Sequence, residues 1–191
     1  MARSYGVYAG NLRKAILYLK FHGRQYLGHC LGGLLARAWE ALPELDSAIV
    51  APVPLHPSRR RQRGFNQAEL LSEGLVRRLH KEERFRGLRL MTGCLRRIRA
   101  TVPQVGLSVS ARRENVNGVF SVGRPEDVRN HTVVVVDDVM TTGATLSACA
   151  ATLKRAGASR VLALSLARAT PQFPDTGILD LTSPIDEFGH D

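Results

Sequence analysis

The sequence has little of several features that would assign it to a common class of protein. Its 191 residues include only three cysteines, and no two of them stand in C-x-x-C spacing. We therefore expect neither a disulfide framework nor a zinc site made from them alone. Two of the three lie in apolar helical patterns and are expected to be buried. No apolar run reaches the roughly 18 residues of a membrane-spanning helix, so no membrane span is expected.

An apolar leader and the common nucleotide-binding motifs are also missing. The N-terminus has no apolar stretch followed by a small-residue cleavage site, which favours a cytoplasmic location. Neither a G-x-x-x-x-G-K-[ST] loop nor a G-x-G-x-x-G turn occurs, and this argues against the usual nucleotide-binding loops. With one tryptophan and four tyrosines beside six phenylalanines, no aromatic platform for stacking nucleobases is evident.

Negative charge is scarce in the first two-thirds of the chain. Residues 1–120 contain 21 Lys and Arg against 8 Asp and Glu, whereas residues 121–191 contain 6 against 9. A surface with this excess of cations could hold the phosphates of a small substrate or follow a nucleic-acid backbone. It could also be a solvated face that has no partner.

The apolar residues alternate between strand and helix patterns. Strands are predicted over 48–53, 133–136 and 161–166, and helices lie before and between them. The helical stripes are Tyr8, Leu12, Ile16 and Leu19; Leu27, Leu31, Leu34 and Ala38; Ala68, Leu71, Leu75 and Leu79; and Leu146, Cys149, Leu153 and Ala156. This order predicts one α/β domain over residues 1–170 with a central parallel sheet. The tail, 171–191, has three prolines and no sustained period, and it is expected to be disordered.

The most informative segment begins with four valines, 133–136, a pattern typical of a central strand covered on both faces. Asp137 and Asp138 follow, and the loop from Met140 to Thr145 has one glycine, one alanine and three threonines. Ligands bind at the carboxyl ends of parallel strands, and a helix N-terminus favours anions. We therefore predict ribose hydroxyls at the aspartates and a phosphate on the loop. Two aspartates alone could also be hydrolase carboxylates or turn and cap residues.

A second segment, Ala48 to Gln67, leads from an apolar strand into a stretch with several prolines and arginines. Pro52, Pro54 and Pro57 are expected to exclude regular helix and to stiffen a loop. Four arginines within five positions would place several guanidinium groups together, and their geometry matches that of phosphate. These arginines are Arg59, Arg60, Arg61 and Arg63.

Both segments resemble known family motifs. Four apolar residues, two acidic residues and V-x-T-T-G-x-T resemble the signature of the type I phosphoribosyltransferases, which bind 5-phosphoribosyl-1-pyrophosphate (PRPP). The basic run ending in Arg-Gly-Phe-Asn-Gln looks like the ComF family of competence-associated, phosphoribosyltransferase-like proteins. The stretches 19–23 and 99–104 are similar to the same family. The resemblance implies a type I phosphoribosyltransferase fold, with a central parallel sheet, flanking helices and a small hood.

The resemblance also implies a role for each matched residue. Asp137 and Asp138 would hold the ribose hydroxyls of PRPP and, with Arg63, form the catalytic set. The 5′-phosphate would lie on Met140, Thr141, Thr142, Gly143, Ala144 and Thr145. The pyrophosphate loop would comprise Pro54, Leu55, Arg59, Arg60, Arg61 and Arg63. A flexible loop that closes over the site would include Thr101, Gln104, Arg113 and Asn115. Magnesium would be bound with PRPP, with no direct protein ligand.

Function remains open between two classes at this point. The resemblance implies a PRPP-binding protein that serves in DNA uptake and natural transformation, with single-stranded DNA, competence proteins or a second copy as possible partners. The alternative is a nucleobase salvage enzyme that releases pyrophosphate. Family members commonly begin with a four-cysteine zinc module, and residues 1–8 look like the linker that follows it. No zinc is therefore expected in this chain, and an apolar patch near the first two helices is expected to be uncovered.

Overall fold

The computed structural model describes residues 1–22, 24–45, 47–99 and 118–172, which alternate between strands and helices. The strands are β1 (Ala2–Val7), β2 (Ser47–Pro52), β3 (Gly87–Leu90), β4 (Leu95–Arg97), β5 (Phe120–Val122), β6 (Thr132–Met140) and β7 (Arg160–Arg168). The helices are α1 (Gly10–His22), α2 (Gln25–Trp39), α3 (Pro57–Arg63), α4 (Gln67–Leu79) and α5 (Ala144–Arg155), with short 3-10 turns at Glu83–Phe85 and Pro125–Asp127. The predicted α/β class is confirmed.

Five parallel strands form the central sheet in the order β1-β7-β6-β2-β3. β6 lies in the middle, and its four valines, 133–136, are fully buried. Val134 and Val136 belong to the apolar core on one face, whereas Val133 and Val135 belong to the core on the other face. This alternation is the period of two that a strand imposes. Both faces are covered, as the valine run predicted.

Helix packing follows the predicted apolar stripes. Leu71, Leu75 and Leu79 of α4 are buried against the sheet, and α4 also packs closely on α2. A side chain added at Gly32 would collide with the backbone oxygen of Leu71, and one added at Gly74 would collide with that of His29. The two helices therefore approach each other at glycines, because any larger residue would push their backbones apart.

The N-terminal residues form a strand, so the prediction of a linker over residues 1–8 is wrong. β1 lies parallel to β7 at the edge of the sheet, and Ser4 aligns with Ser165. Their hydroxyl oxygens are 2.7 Å apart. The segment has only one β-branched residue, Val7, and most of it is partly exposed. A sequence pattern cannot identify such an edge strand, because its main-chain pairing with β7 and not an apolar period holds it in place.

The arginine-rich segment contains a short helix, α3, where a loop was predicted. Pro57 occupies its first turn, a position where proline is tolerated because its missing N–H would have no helical partner. His56 caps the helix, since its Nδ1 accepts a hydrogen bond from the Ser58 N–H at 3.3 Å. The helix ends at Gly64, whose φ of 78° is left-handed. The prolines therefore begin a helix here and do not exclude one.

A small antiparallel sheet of β4 and β5 lies beside the main sheet. The predicted flexible-loop residues Thr101, Gln104, Arg113 and Asn115 fall outside the described residues, as does the tail from 173 onward. Cys94 and Cys149 are buried, whereas Cys30, on α2, is exposed. Within the described ranges, none of the helices has the length and hydropathy needed to cross a bilayer.

Candidate functional site

The acidic pair lies near the carboxyl end of β6, within the strand. The carboxylate Oδ1 of Asp137 accepts a hydrogen bond from the Asp138 N–H at 2.9 Å, and Oδ1 of Asp138 accepts one from the Val139 N–H at 2.8 Å. β6 continues beyond the pair because Val139 and Met140 still align with β7. Each carboxylate is thus held by the backbone of the next residue, which fixes its orientation.

Lys20 reaches the acidic pair from the last turn of α1. Its Nζ lies 2.9 Å from Oδ2 of Asp138, and the two side chains are only 15% and 13% exposed. A largely buried ion pair of this kind holds one carboxylate in its charged form. Lys20 was not among the predicted site residues. The sequence did contain a sign of it, because Lys20 lies four residues after the buried Ile16, on the same side of the helix.

The neighbouring carboxyl groups differ in their affinity for a proton. Burial, together with the charge of Asp138, raises the pKa of Asp137 to about 8. Burial acts in the same direction on Asp138, but Lys20, the Val139 N–H and Arg63 outweigh it and lower the pKa of Asp138 below its usual value. The two carboxyl groups therefore titrate as a coupled pair, in which ionisation of Asp138 is favoured and simultaneous ionisation of Asp137 is opposed. A cationic ligand at the site would favour ionisation of Asp137.

Arginines from two further elements border the aspartates. Burial lowers the pKa of Arg63, on α3, while the charge of Asp138 opposes this and the nearby Arg59 adds to it. Burial and Arg59 likewise lower the pKa of Arg97, on β4, and Asp137 opposes this. The structure thus brings Arg63 and Arg97 near the acidic pair, and Arg59 lies near both of these arginines. The sequence placed Arg97 only on the basic surface beside the predicted flexible loop and not among the site residues, because an arginine on a three-residue strand has no distinguishing pattern.

The other two arginines of α3 are placed differently. Arg60 forms an ion pair with Glu69 of α4, and Arg61 is exposed. Residues four apart on a helix share a face, so Arg59 and Arg63 face the site together. Pro54 and Leu55, which precede the helix, are half-buried. The predicted pyrophosphate role of all these residues stays a prediction.

Buried polar contacts tie α3 to the end of the central sheet. The Val53 N–H donates to the Val136 carbonyl at 2.8 Å, which carries the pairing of β2 and β6 one residue further. The side-chain Nδ2 of Asn66 donates to the Val53 carbonyl at 3.0 Å, and its Oδ1 accepts from the Ala68 N–H at 3.1 Å. Asn66 therefore joins the end of β2 to the start of α4 and fixes both ends of the segment that contains α3.

The predicted phosphate loop, Met140 to Thr145, connects β6 to α5. Gly143 has a left-handed φ of 77°, a conformation that favours glycine. The hydroxyl of Thr142 accepts a hydrogen bond from the Ala144 N–H at 3.4 Å. The first turn of α5 thus begins at the same edge of the sheet as the aspartates. Free N–H groups at a helix start favour anions, and the phosphate role of this loop stays a prediction.

Two possible chemistries find no support among the residues that the structure describes. His56, the one histidine near α3, uses its ring to cap that helix and contact Ser58, so it is not poised as a base. No group of three or more His, Cys, Asp or Glu side chains within those ranges could hold a metal ion.

Comparison with known proteins agrees with this geometry. The model of the phosphoribosyl transferase domain family matches residues 84–189. Competence protein F of Haemophilus influenzae is 33% identical over 171 residues, which are 86% of this chain and 71% of that protein. DNA utilization protein YhgH of Escherichia coli K12 is 36% identical over 167 residues, which are 84% of this chain and 69% of that protein.

The chain therefore belongs to the phosphoribosyltransferase family, and within it to the ComF group, as the sequence motifs indicated. Among solved structures it is similar to glutamine PRPP amidotransferase from B. subtilis complexed with ADP and GMP, with 21% identity and a TM-score of 0.46. The similarity covers 72% of this chain and 25% of that one. The assignment depends on the family model and the curated relatives. The arginine helix α3 precedes the region that the family model matches.

Proposed function

We propose that this protein binds PRPP with the ribose at Asp137 and Asp138 and the 5′-phosphate on the loop from Met140 to Thr145. The observation that supports this most strongly is the charge arrangement at the end of β6. The carboxylate of Asp138, whose pKa is lowered, lies on the strand that leads directly into the start of α5, and Arg63 is close enough to act on it. Ribose hydroxyls need carboxylate acceptors, and phosphates need N–H donors and cations.

The arginines would bind the pyrophosphate group. Arg63 and Arg97 lie near the acidic pair and Arg59 lies near both of them, and guanidinium groups hold phosphate oxygens in two-point contacts. Magnesium fits this site if it arrives with PRPP, because it retains several waters and takes few protein ligands. Bound there, it would neutralise charge on the pyrophosphate. In a transfer reaction the bond from ribose C1 to pyrophosphate would break, and an acceptor would bond to C1.

DNA uptake is the process in which we place this binding activity. Two curated relatives at 33% and 36% identity are named for competence and for DNA utilization. We propose that the chain acts in the cytoplasm, with single-stranded DNA, competence proteins or a second copy of itself as partners. Turnover with common nucleobases is expected to be slow or undetectable. Apart from the acidic pair itself, the described residues at the site offer no side chain placed to act as a general base on an acceptor. Efficient pyrophosphate release with any one nucleobase would favour the salvage alternative.

A ligand-dependent thermal shift tests the PRPP site. At a PRPP concentration about a hundredfold above the dissociation constant, with magnesium present, binding should stabilise the fold by about 2.7 kcal/mol. The double variant Asp137→Asn and Asp138→Asn should lose most of this shift, because amides cannot replace two carboxylates as acceptors for ribose. A matched variant, Glu126→Gln and Asp127→Asn, changes two carboxylates that ion-pair with Arg124 and should keep it.

Isothermal titration calorimetry is the second readout. Saturating PRPP that gives neither a thermal shift nor a heat signal in the unchanged protein would refute the proposed site. A shift that persists in the Asp137 and Asp138 variant would place PRPP elsewhere.

A further inference from the structure

The turn between α1 and α2 exposes a group of aromatic side chains. Phe21 is 57% exposed and Tyr26 is 81% exposed. The rings of Tyr18 and His22 stack one helical turn apart, with their centroids 4.2 Å apart and their planes 15° from parallel. The side chains of Tyr26 and Cys30 are hydrogen-bonded to each other. Rings that are already ordered can stack on a further ring with a small loss of side-chain entropy.

The same turn carries positive charge without neighbouring negative charge in the sequence. Lys14, one turn before Tyr18, is exposed, and so is Arg24 between the two helices. The first 39 residues contain six Lys and Arg but no Asp or Glu. We use the name aromatic patch for Lys14, Tyr18, Phe21, His22, Arg24 and Tyr26. Overall composition gave no sign of it, because the chain has few aromatic residues, although the four rings of the patch lie within residues 18–26.

The aromatic patch borders the candidate PRPP site. Lys20, which contacts Asp138 at 2.9 Å, lies in the last turn of α1 beside Phe21 and His22. The side of that turn facing the sheet therefore reaches the acidic pair, while its other side presents rings to solvent. We infer that the aromatic patch binds single-stranded nucleic acid, with bases stacked on the rings and phosphates at Lys14 and Arg24. This inference rests on the proposed function in DNA uptake.

Charge and ring exposure together favour a single strand over other occupants. Unpaired bases stack on aromatic side chains whatever their sequence, and cations follow the backbone. In a duplex the bases are already stacked on each other, so the rings would gain nothing. A second copy of the chain would place like charges opposite each other, because the patch offers only cations. An acidic protein partner would satisfy the charges but has no general need for exposed rings.

Fluorescence anisotropy with a labelled oligo-dT of about 20 nucleotides tests the inference. Replacing Phe21 or Tyr26 by serine should weaken binding about fivefold or more for each ring. Phe21→Tyr and Tyr26→Phe keep a ring and should retain binding within about twofold. Lys14→Gln with Arg24→Gln should flatten the salt dependence by about 1.4 log units per log unit of salt, since each phosphate contact contributes about 0.7.

A matched pair of substitutions controls for overall charge. Arg77→Gln with Arg160→Gln removes two exposed arginines outside the patch and should leave the salt dependence unchanged. The PRPP thermal shift, measured on every variant, reports whether the fold and the PRPP site are intact. A protein that binds PRPP but not oligo-dT would refute this inference and leave the PRPP proposal standing.

Two further outcomes would also contradict it. Equal affinity for oligo-dT and for a duplex of the same length would mean that charge alone binds the nucleic acid. The other outcome is that the serine variants leave oligo-dT binding unchanged but convert a dimer to a monomer in sedimentation. The aromatic patch would then be an interface between copies of the chain.

Discussion

Two adjacent aspartates on one strand differ in the direction of their pKa shifts because their surroundings differ. Lys20 and Arg63 favour the ionised form of Asp138, and burial beside that charge favours the protonated form of Asp137. Identical side chains can therefore have different roles at neutral pH. The lowered pKa of Asp138 favours its role as an anionic hydrogen-bond acceptor. The pKa of Asp137, raised to about 8, makes its ionisation sensitive to a bound ligand. A divalent cation close to the pair would favour ionisation of both.

The raised pKa of Asp137 predicts that the stability of the free protein falls as pH rises. In the unfolded chain the carboxyl group loses its proton near pH 4, whereas in the folded chain it keeps it up to about pH 8. The contribution of Asp137 to the free energy of unfolding is therefore complete below pH 4. It is lost as the pH rises to 8, at up to about 1.4 kcal/mol per pH unit. Asp137→Asn should flatten this slope, so that it raises the melting temperature at pH 9 far more than at pH 4.5. Equal effects at both values in thermal unfolding would contradict the assignment.

The ion pair between Lys20 and Asp138 makes a separate prediction. Lys20→Met leaves a buried carboxylate without its cation, which should cost about 2 kcal/mol or more of unfolding free energy in urea denaturation. Adding Asp138→Asn should recover part of that loss, because the uncompensated charge is then gone. Lys14→Met, on the exposed face of the same helix, is the control and should have little effect. Additive losses in the double variant would mean that the two side chains do not interact.

At the scale of elements, α3 shows how a short helix sorts its side chains. Its four arginines are nearly consecutive in sequence, yet helical geometry directs Arg63 to the acidic pair, with Arg59 beside it, and Arg60 to Glu69. A loop could have directed all four to one ligand. The buried Asn66 holds the end of β2 and the start of α4, so α3 has little freedom to move. A pre-positioned pair of guanidinium groups follows, and this suits a pyrophosphate group that bridges them.

This arrangement predicts that the arginines of α3 contribute unequally to PRPP binding. Arg63→Gln should weaken PRPP binding at least about tenfold in calorimetry, since a charge-assisted hydrogen bond contributes about 1.5–3 kcal/mol. Arg61→Gln removes the same charge from the exposed side of the helix and should change the affinity less than about twofold. If turnover occurs with an acceptor, Arg63→Gln should also slow pyrophosphate release. Equal losses for the two variants would argue that α3 acts only through its net charge.

At the scale of the whole molecule, sequence predicted the elements that bury a continuous apolar pattern. β6, α4 and α5 are of this kind. The positions of the acidic pair and of the loop from Met140 to Thr145 could be predicted with them, because the pair lies in β6 and the loop joins β6 to α5. β1 was missed because its place at the sheet edge depends on pairing with β7. Lys20 and Arg97 were missed because they come from α1 and β4, far from the aspartates in sequence. Local patterns identify motifs, but tertiary packing decides which distant side chains join them.

The uneven distribution of charge over the whole chain leads to the last prediction, which concerns salt. Residues 1–120 carry 21 cationic against 8 acidic side chains, so single-stranded DNA should bind weakly, without sequence preference and less tightly as salt rises. The slope of log binding constant against log salt concentration measures the number of phosphate contacts. The triple variant Arg59→Gln, Arg60→Gln and Arg61→Gln would flatten this slope by about 2 if all three arginines bound phosphates. We expect a change of at most about 0.7, because Arg59 lies beside Arg63 and Arg60 is engaged by Glu69, and Arg61 is exposed but lies outside the aromatic patch. Anisotropy titrations from low to moderate salt measure this slope. A change of about 2 would place the strand on α3, whereas salt-independent binding would mean that the basic surface does not contact the backbone.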